Sequence, residues 1–275
     1  MANILVLANE TIGGRALLDR IRARSKEGDA RFVIVVPRTR PKFGNVVYDE
    51  AVRSSAQVRV DLALAFARGE GIDAIGEVGD EDAFNAAMDA IDIHKIDEVI
   101  LSTHPSSSSG WLRRDLPERI ADDSGLPVEH IVVDIANEGL PFGVSLVIAN
   151  QTIAGDELVK RLEGLAEEGE RRFIAVVPQP DGEGGAVAAA KERLDQLLAS
   201  LDAAGIVAAG MIGDPDPFTA TMNAVGYFYI SEIVISTLPG NRSQWMEGGL
   251  VDRIKRQTGK PVIHVESAAE TAGKT

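Results

Sequence analysis

Apolar positions in this chain fall into short, dense blocks separated by longer stretches of helical period. "ILVLA" (Ile4 to Ala8), "FVIVV" (Phe32 to Val36), "EVILS" (Glu98 to Ser102) and "HIVV" (His130 to Val133) are nearly unbroken runs of Ile, Leu and Val. Strands of that kind are buried on both faces, as in a parallel sheet covered on both sides. Between them, "GRALLDRIRARS", "DEDAFNAAMDAIDIH" and "AAAKERLDQLLASLDAAG" space their apolar residues three and four apart, the period of a helix laid on a sheet. The alternation predicts a doubly wound α/β fold, with any ligand at the carboxyl ends of the strands.

The pattern is written twice. "LVLANETIGGRALLDRI" (Leu5 to Ile21) matches "LVIANQTIAGDELVKRL" (Leu146 to Leu162) at nine of seventeen positions, and "RFVIVVP" (Arg31 to Pro37) matches "RFIAVVP" (Arg172 to Pro178). Past the second strand the offset shortens by seven residues: Gly79-Asp80 then pairs with Gly213-Asp214, and Trp111 with Trp245. Each copy reads as five strands alternating with four helices. The expectation is two homologous domains, residues 1–140 and 141–268, joined near Glu138 to Gly143, with a loose tail at 269–275.

Composition then removes whole classes of function. There are no cysteines, so disulfides, thiolate metal sites and cysteine nucleophiles are excluded. The four histidines show neither HxxxH nor HExxH spacing, which argues against a histidine metal cluster. A net charge of −14 without a long basic run argues against nucleic-acid or anionic-membrane surfaces. "NILVLA" enters a strand directly, with no basic leader and no long apolar stretch, so the expectation is a cytoplasmic protein.

Four loops per copy converge at the strand ends. They carry Asn9-Glu10-Thr11 and Asn150-Gln151-Thr152 after the first strand, then Pro37 and Val177-Pro178 at the end of the second. Gly79-Asp80 and Gly213-Asp214 follow the third strand. "LSTHPSSSSGWLRRDLPERI" and "ISTLPGNRSQWMEGGLVDRI" follow the fourth. This arrangement resembles the universal stress protein family over essentially the whole chain, as a tandem pair. The resemblance implies a five-stranded parallel sheet per domain, often paired through strand 5. It also implies adenosine held between the first two loops and phosphates in the fourth, in a G-x-x-G-(nine residues)-G-[S/T] motif. The motif spacing is kept here while its residues have changed: Ser102, Pro105, Asp115 and Leu116 in the first copy, Ser236, Pro239, Gly249 and Leu250 in the second. Asn9 and Asn150 stand where the family has an aspartate.

A phosphate cradle needs free backbone N–H groups and the positive end of a helix dipole. In the second copy Gly240, Gly248 and Gly249 offer unhindered backbone, while Asn241, Arg242 and Ser243 add donors. In the first copy Asp115, ahead of Leu116-Pro117, is expected to cap the helix and repel a phosphate. There Ser106, Arg113 and Arg114, with Arg38, Arg40 and Lys42, are the side chains that can compensate. The second copy is therefore the expected site for ATP, ADP or AMP.

Some residues keep two readings. Asp80 and Asp214 can hold a ribose hydroxyl or cap the third helix. Trp111 and Trp245 can stack on a base or pack on their own sheet. His130 and His264 can be pH sensors or satisfied histidines where strand 5 pairs. His104 faces Leu238 in the other copy, which sets it apart from any shared chemistry. Three functions follow: a regulatory stress-response module that binds a nucleotide without turning it over, a scaffold working through protein contacts alone, or a slow ATP hydrolase. The chain has no GxxxxGK[ST] loop and no set of nucleophile, base and orienting group, so no catalytic residue is assigned. Expected partners are the chain's own two domains, paired through strand 5, and a second copy of the chain.

Overall fold

The structure, a computed structural model, describes residues 1–38, 49–105, 115–153, 155–179, 185–239, 245 and 248–267. The first half runs β1 (Ala2–Leu7), α1 (Arg15–Lys26), β2 (Ala30–Pro37), α2 (Asp49–Gly69), β3 (Ala74–Gly79), α3 (Ala83–His94), β4 (Glu98–Thr103), α4 (Leu116–Ser124) and β5 (Val128–Val132). A single turn, α5 (Ile135–Glu138), leads out of it. The second half runs β6 (Gly143–Ile148), α6 (Asp156–Glu167), β7 (Arg171–Pro178), α7 (Gly185–Ala203), β8 (Ala208–Gly213), α8 (Pro217–Tyr227), β9 (Glu232–Thr237), α9 (Leu250–Thr258) and β10 (Val262–Glu266). The chain divides into two compact units, with Pro141 closing one stretch and Phe142 opening the next.

Each unit carries one five-stranded sheet, ordered β3-β2-β1-β4-β5 in the first and β10-β9-β6-β7-β8 in the second. Every pairing is parallel. The winding direction reverses beside the first strand of each unit. That makes the crevice between the β1 and β4 ends, and between the β6 and β9 ends, the place where a doubly wound sheet accepts a ligand.

Both faces of each sheet are covered, which is why the strands read as unbroken apolar runs. In the first unit Leu5, Leu7, Val33 and Val35 meet Ala83, Ala86 and Ala87 of α3 and Ile120 of α4. Val36, one pleat away and so on the opposite face, meets Ala56 and Val60 of α2. In the second unit Phe173, Ala175 and Val177 lie under Leu158 and Leu162 of α6 and Leu194 and Leu197 of α7.

The repeated glycine closing the third strand has a packing cause. A Cβ on Gly79 would sit 2.7 Å from the Ala86 Cβ and 2.8 Å from Val35 Cγ1. On Gly213 it would sit 2.6 Å from Val176 Cγ1 and 2.9 Å from the Ala220 Cβ. The helix after the third strand presses on that strand's last residue, and only glycine leaves room.

Candidate functional site

In the second unit the second residue after β6 is a strut. Asn150 donates from Nδ2 to the carbonyl of Pro178 (3.2 Å), and its Oδ1 accepts from the Arg193 guanidinium of α7 (2.8 Å). One amide thus ties together the ends of β6 and β7 and the side of α7. The sequence reading named Asn150 and missed Arg193. The available signal was the repeat, since Arg59 occupies the matching position on α2.

Nearby, Thr152 and Ser236 are buried at 2% and 1% exposure. Among the described residues their hydroxyl oxygens have no hydrogen-bond partner. Val177 and Leu250 are buried at 0% and 3%, so each offers a ligand only its main chain.

The helix expected to receive an anion starts as the sequence suggested. Gly249 stands at the N-cap of α9 with φ 60° and ψ 34°, and no side chain among the described residues caps the helix. Gly248 and Gly249 are exposed, and a Cβ on Gly249 would touch nothing among the described residues. Glycine is used here for the left-handed backbone rather than for space. Trp245 is half-buried, five residues ahead of α9, and so does not open that helix. Gly240, Asn241, Arg242 and Ser243 lie outside the described residues.

Three strand-end expectations change. Asp115 precedes α4, but its side chain makes no capping hydrogen bond. The reason is its backbone: at φ 48° and ψ 44° it is left-handed, whereas a capping side chain needs an extended residue. Asp80 and Asp214 do not cap the third helix of their units either. Each accepts, at 2.9 Å, the N–H of the residue two further on. Those residues, Asp82 and Asp216, are the caps: Asp82 accepts from the N–H groups of Phe84 and Asn85, Asp216 from that of Thr219. Arg38, expected to help hold an anion, instead donates to the Gly79 carbonyl (3.2 Å) and lies 3.7 Å from the Asp80 carboxylate.

The first-unit mouth also holds a pair with no counterpart. His104 Nε2 is 3.2 Å from a Glu10 carboxylate oxygen, while the second copy has Leu238 and Gln151 there. Thr11 donates to the Ser102 carbonyl (3.2 Å), joining the β1 and β4 ends. Asn9 follows β1, and Pro37 closes β2. Ser106, Arg113, Arg114, Arg40, Lys42 and Trp111 lie outside the described residues.

His130 and His264 are held alike. Their Nε2 atoms lie 2.9 Å from the hydroxyl of Thr103 and 2.8 Å from that of Thr237. Each hydroxyl gives its proton to the next residue's carbonyl, so the ring nitrogen donates. A second repeated contact stacks Arg119 on Phe84 and Arg253 on Phe218, each 4.2 Å from the ring centre. These pin α4 to α3 and α9 to α8. Burial, the largest influence on Asp216, raises its pKa. The Thr219 hydroxyl and N–H, the Phe218 N–H and the Arg253 charge outweigh it and hold the carboxyl below its ordinary value.

Among the described residues no group of three acidic or histidine side chains is placed to hold a metal ion. None of the helices described is long and apolar enough to cross a membrane.

The strand order, written twice, defines a tandem doubly wound α/β protein with one crevice per unit. No family model matches the chain, and no curated relative does. Among solved structures the chain is similar to a universal stress protein from Archaeoglobus fulgidus DSM 4304, at 14% identity and a TM-score of 0.36, covering 97% of each chain. It is also similar to a universal stress protein in complex with cAMP, at 14% identity and a TM-score of 0.35, over 47% of this chain and 96% of that one. A member of that family from Burkholderia pseudomallei is similar at 17% identity and a TM-score of 0.36, over 47% and 95%.

Proposed function

We propose that the protein is a cytoplasmic regulatory module of universal-stress type that binds an adenine nucleotide (ATP, ADP or AMP) in its second unit without turning it over. The observation that carries this reading is the open start of α9. Among the described residues neither α4 nor α9 starts with a side-chain cap, but the N-cap of α9 is an exposed left-handed glycine where that of α4 is Asp115, whose charge repels a phosphate. Uncapped N–H groups at the positive end of a helix are what a phosphate needs. The acidic Glu10 of the first mouth is also neutral Gln151 in the second, which removes a repulsive charge. The candidate contacts are the main chain of Val177, Pro178, Gly213 and Gly249, with Gly240, Arg242 and Ser243 in the preceding loop. Domain pairing belongs to the same proposal: β5 and β10 are the outer strands of their sheets, available to each other or to a second copy.

The test is titration calorimetry of nucleotide-stripped protein with ATP and then AMP, repeated on Gly249→Asp. That variant should fold, because Asp115 already holds an aspartate in the same backbone conformation. The expected result is binding near one per chain, weakened at least about tenfold, or about 1.4 kcal/mol, in the variant. No heat and no thermal stabilisation at millimolar nucleotide would leave a scaffold that acts through its surface.

A further inference from the structure

Arg193 is the exception among the half-buried arginines of the described residues. Arg24, Arg31, Arg38, Arg171 and Arg172 all face a carboxylate oxygen at ion-pair distance. Arg193 is half-buried too, yet among the described residues its one partner is the neutral Asn150 amide. The chain carries 42 acidic side chains against 28 basic ones, so a carboxylate partner was not in short supply. A guanidinium that is partly desolvated and held by a neutral strut has lost hydration without gaining a counter-charge. Its fork offers five N–H donors, and Asn150 takes one of them.

Its position fits a ligand. Asn150 sits at the end of β6, the strand flanked by β7 and β9. The Pro178 contact places the Arg193 guanidinium on the β7 side of the β6 end, with β9 on the other side of β6 and adjacent strands about 4.8 Å apart. In the second unit the buried hydroxyls without partners among the described residues are on Thr152, four residues past β6, and Ser236, the last but one residue of β9; Ser102, which matches Ser236 in the first unit, is left in the same way.

We infer that Arg193 is the anion anchor of the second unit: it takes a phosphoryl or similar oxyanion group at the end of β6, through the donors Asn150 leaves free. Asn150 is then a positioning residue rather than a reader of the ligand, since Pro178 and Arg193 already engage its amide. The inference rests on the nucleotide reading for the remainder of the ligand but not for the anion.

The test compares ATP, AMP, adenosine and inorganic pyrophosphate as ligands of the intact chain, wild type against Arg193→Gln and Arg193→Lys. The expected result is a loss of AMP and pyrophosphate affinity of tenfold or more in Arg193→Gln, with adenosine binding unchanged. Arg193→Lys, which keeps the charge and loses the fork, should fall between and decides the matter if the Gln variant does not fold. Equal losses for AMP and adenosine would reduce Arg193 to a support for Asn150 and overturn the inference, as would no loss at all. If no adenine compound binds but pyrophosphate does, through Arg193, the anchor stands and the nucleotide reading falls. If neither class binds the wild type, both fall.

Discussion

At the scale of single residues, two glycines that look alike in the sequence work differently. Gly213 and Gly249 both read as sparse backbone near a ligand, but Gly213 is fixed by steric contact and Gly249 by its torsion angles. Gly213→Ala would drive a methyl group to 2.6 Å from Val176 Cγ1 and 2.9 Å from the Ala220 Cβ. It should cost about 1–3 kcal/mol in urea unfolding, the usual penalty for overpacking. Gly249→Ala meets no neighbour among the described residues and should cost only about 1–2 kcal/mol, the left-handed penalty alone. A reversed order would place the close approach at the helix start instead. The sequence could not separate the two cases, because the Val176 and Ala220 contacts are tertiary. The same holds for Arg193, whose partner Asn150 is 43 residues away.

At the scale of elements, the strands and long helices were legible because burial on both faces leaves an unbroken apolar run and burial on one face leaves a helical period. The caps were not. "GDED" and "GDPD" each offer two aspartates, and composition cannot tell which one starts the helix. The backbone assigns that role to Asp82 and Asp216, with Asp80 and Asp214 holding the turn before them. The single turn α5 was missed because four residues are too few to show a period. The Asp216 cap carries a pH signature. Its folded carboxyl sits below the ordinary range, so its contribution is present above the unfolded pKa, near 3.9, and disappears as pH falls through the folded value. Asp216→Asn keeps a capping side chain and loses the charge. The variant should be less stable than wild type at pH 6, and the gap should close below about pH 4 in thermal melts. A gap independent of pH would mean the charge contributes nothing.

At the scale of the whole molecule, duplication leaves each unit free to diverge from the other. The first mouth now holds the Glu10–His104 pair and Asp115, while the second has neutral residues at all three positions. If only the second unit binds, a ligand should protect only half of the chain. Phe32 and Phe173 provide the means of telling the halves apart. They occupy matching places on β2 and β7, and each is fully buried. Replacing either with alanine should cost its own unit about 3–5 kcal/mol and mark that unit's transition in calorimetry. Saturating AMP, at about a hundred times its Kd, adds about 2.7 kcal/mol to whatever folded unit binds it. It should therefore restore much of the transition lowered by Phe173→Ala and leave the one lowered by Phe32→Ala in place. Rescue of the Phe32→Ala transition instead would move the site to the first unit, with the left-handed Asp115 forming part of the cradle rather than closing it.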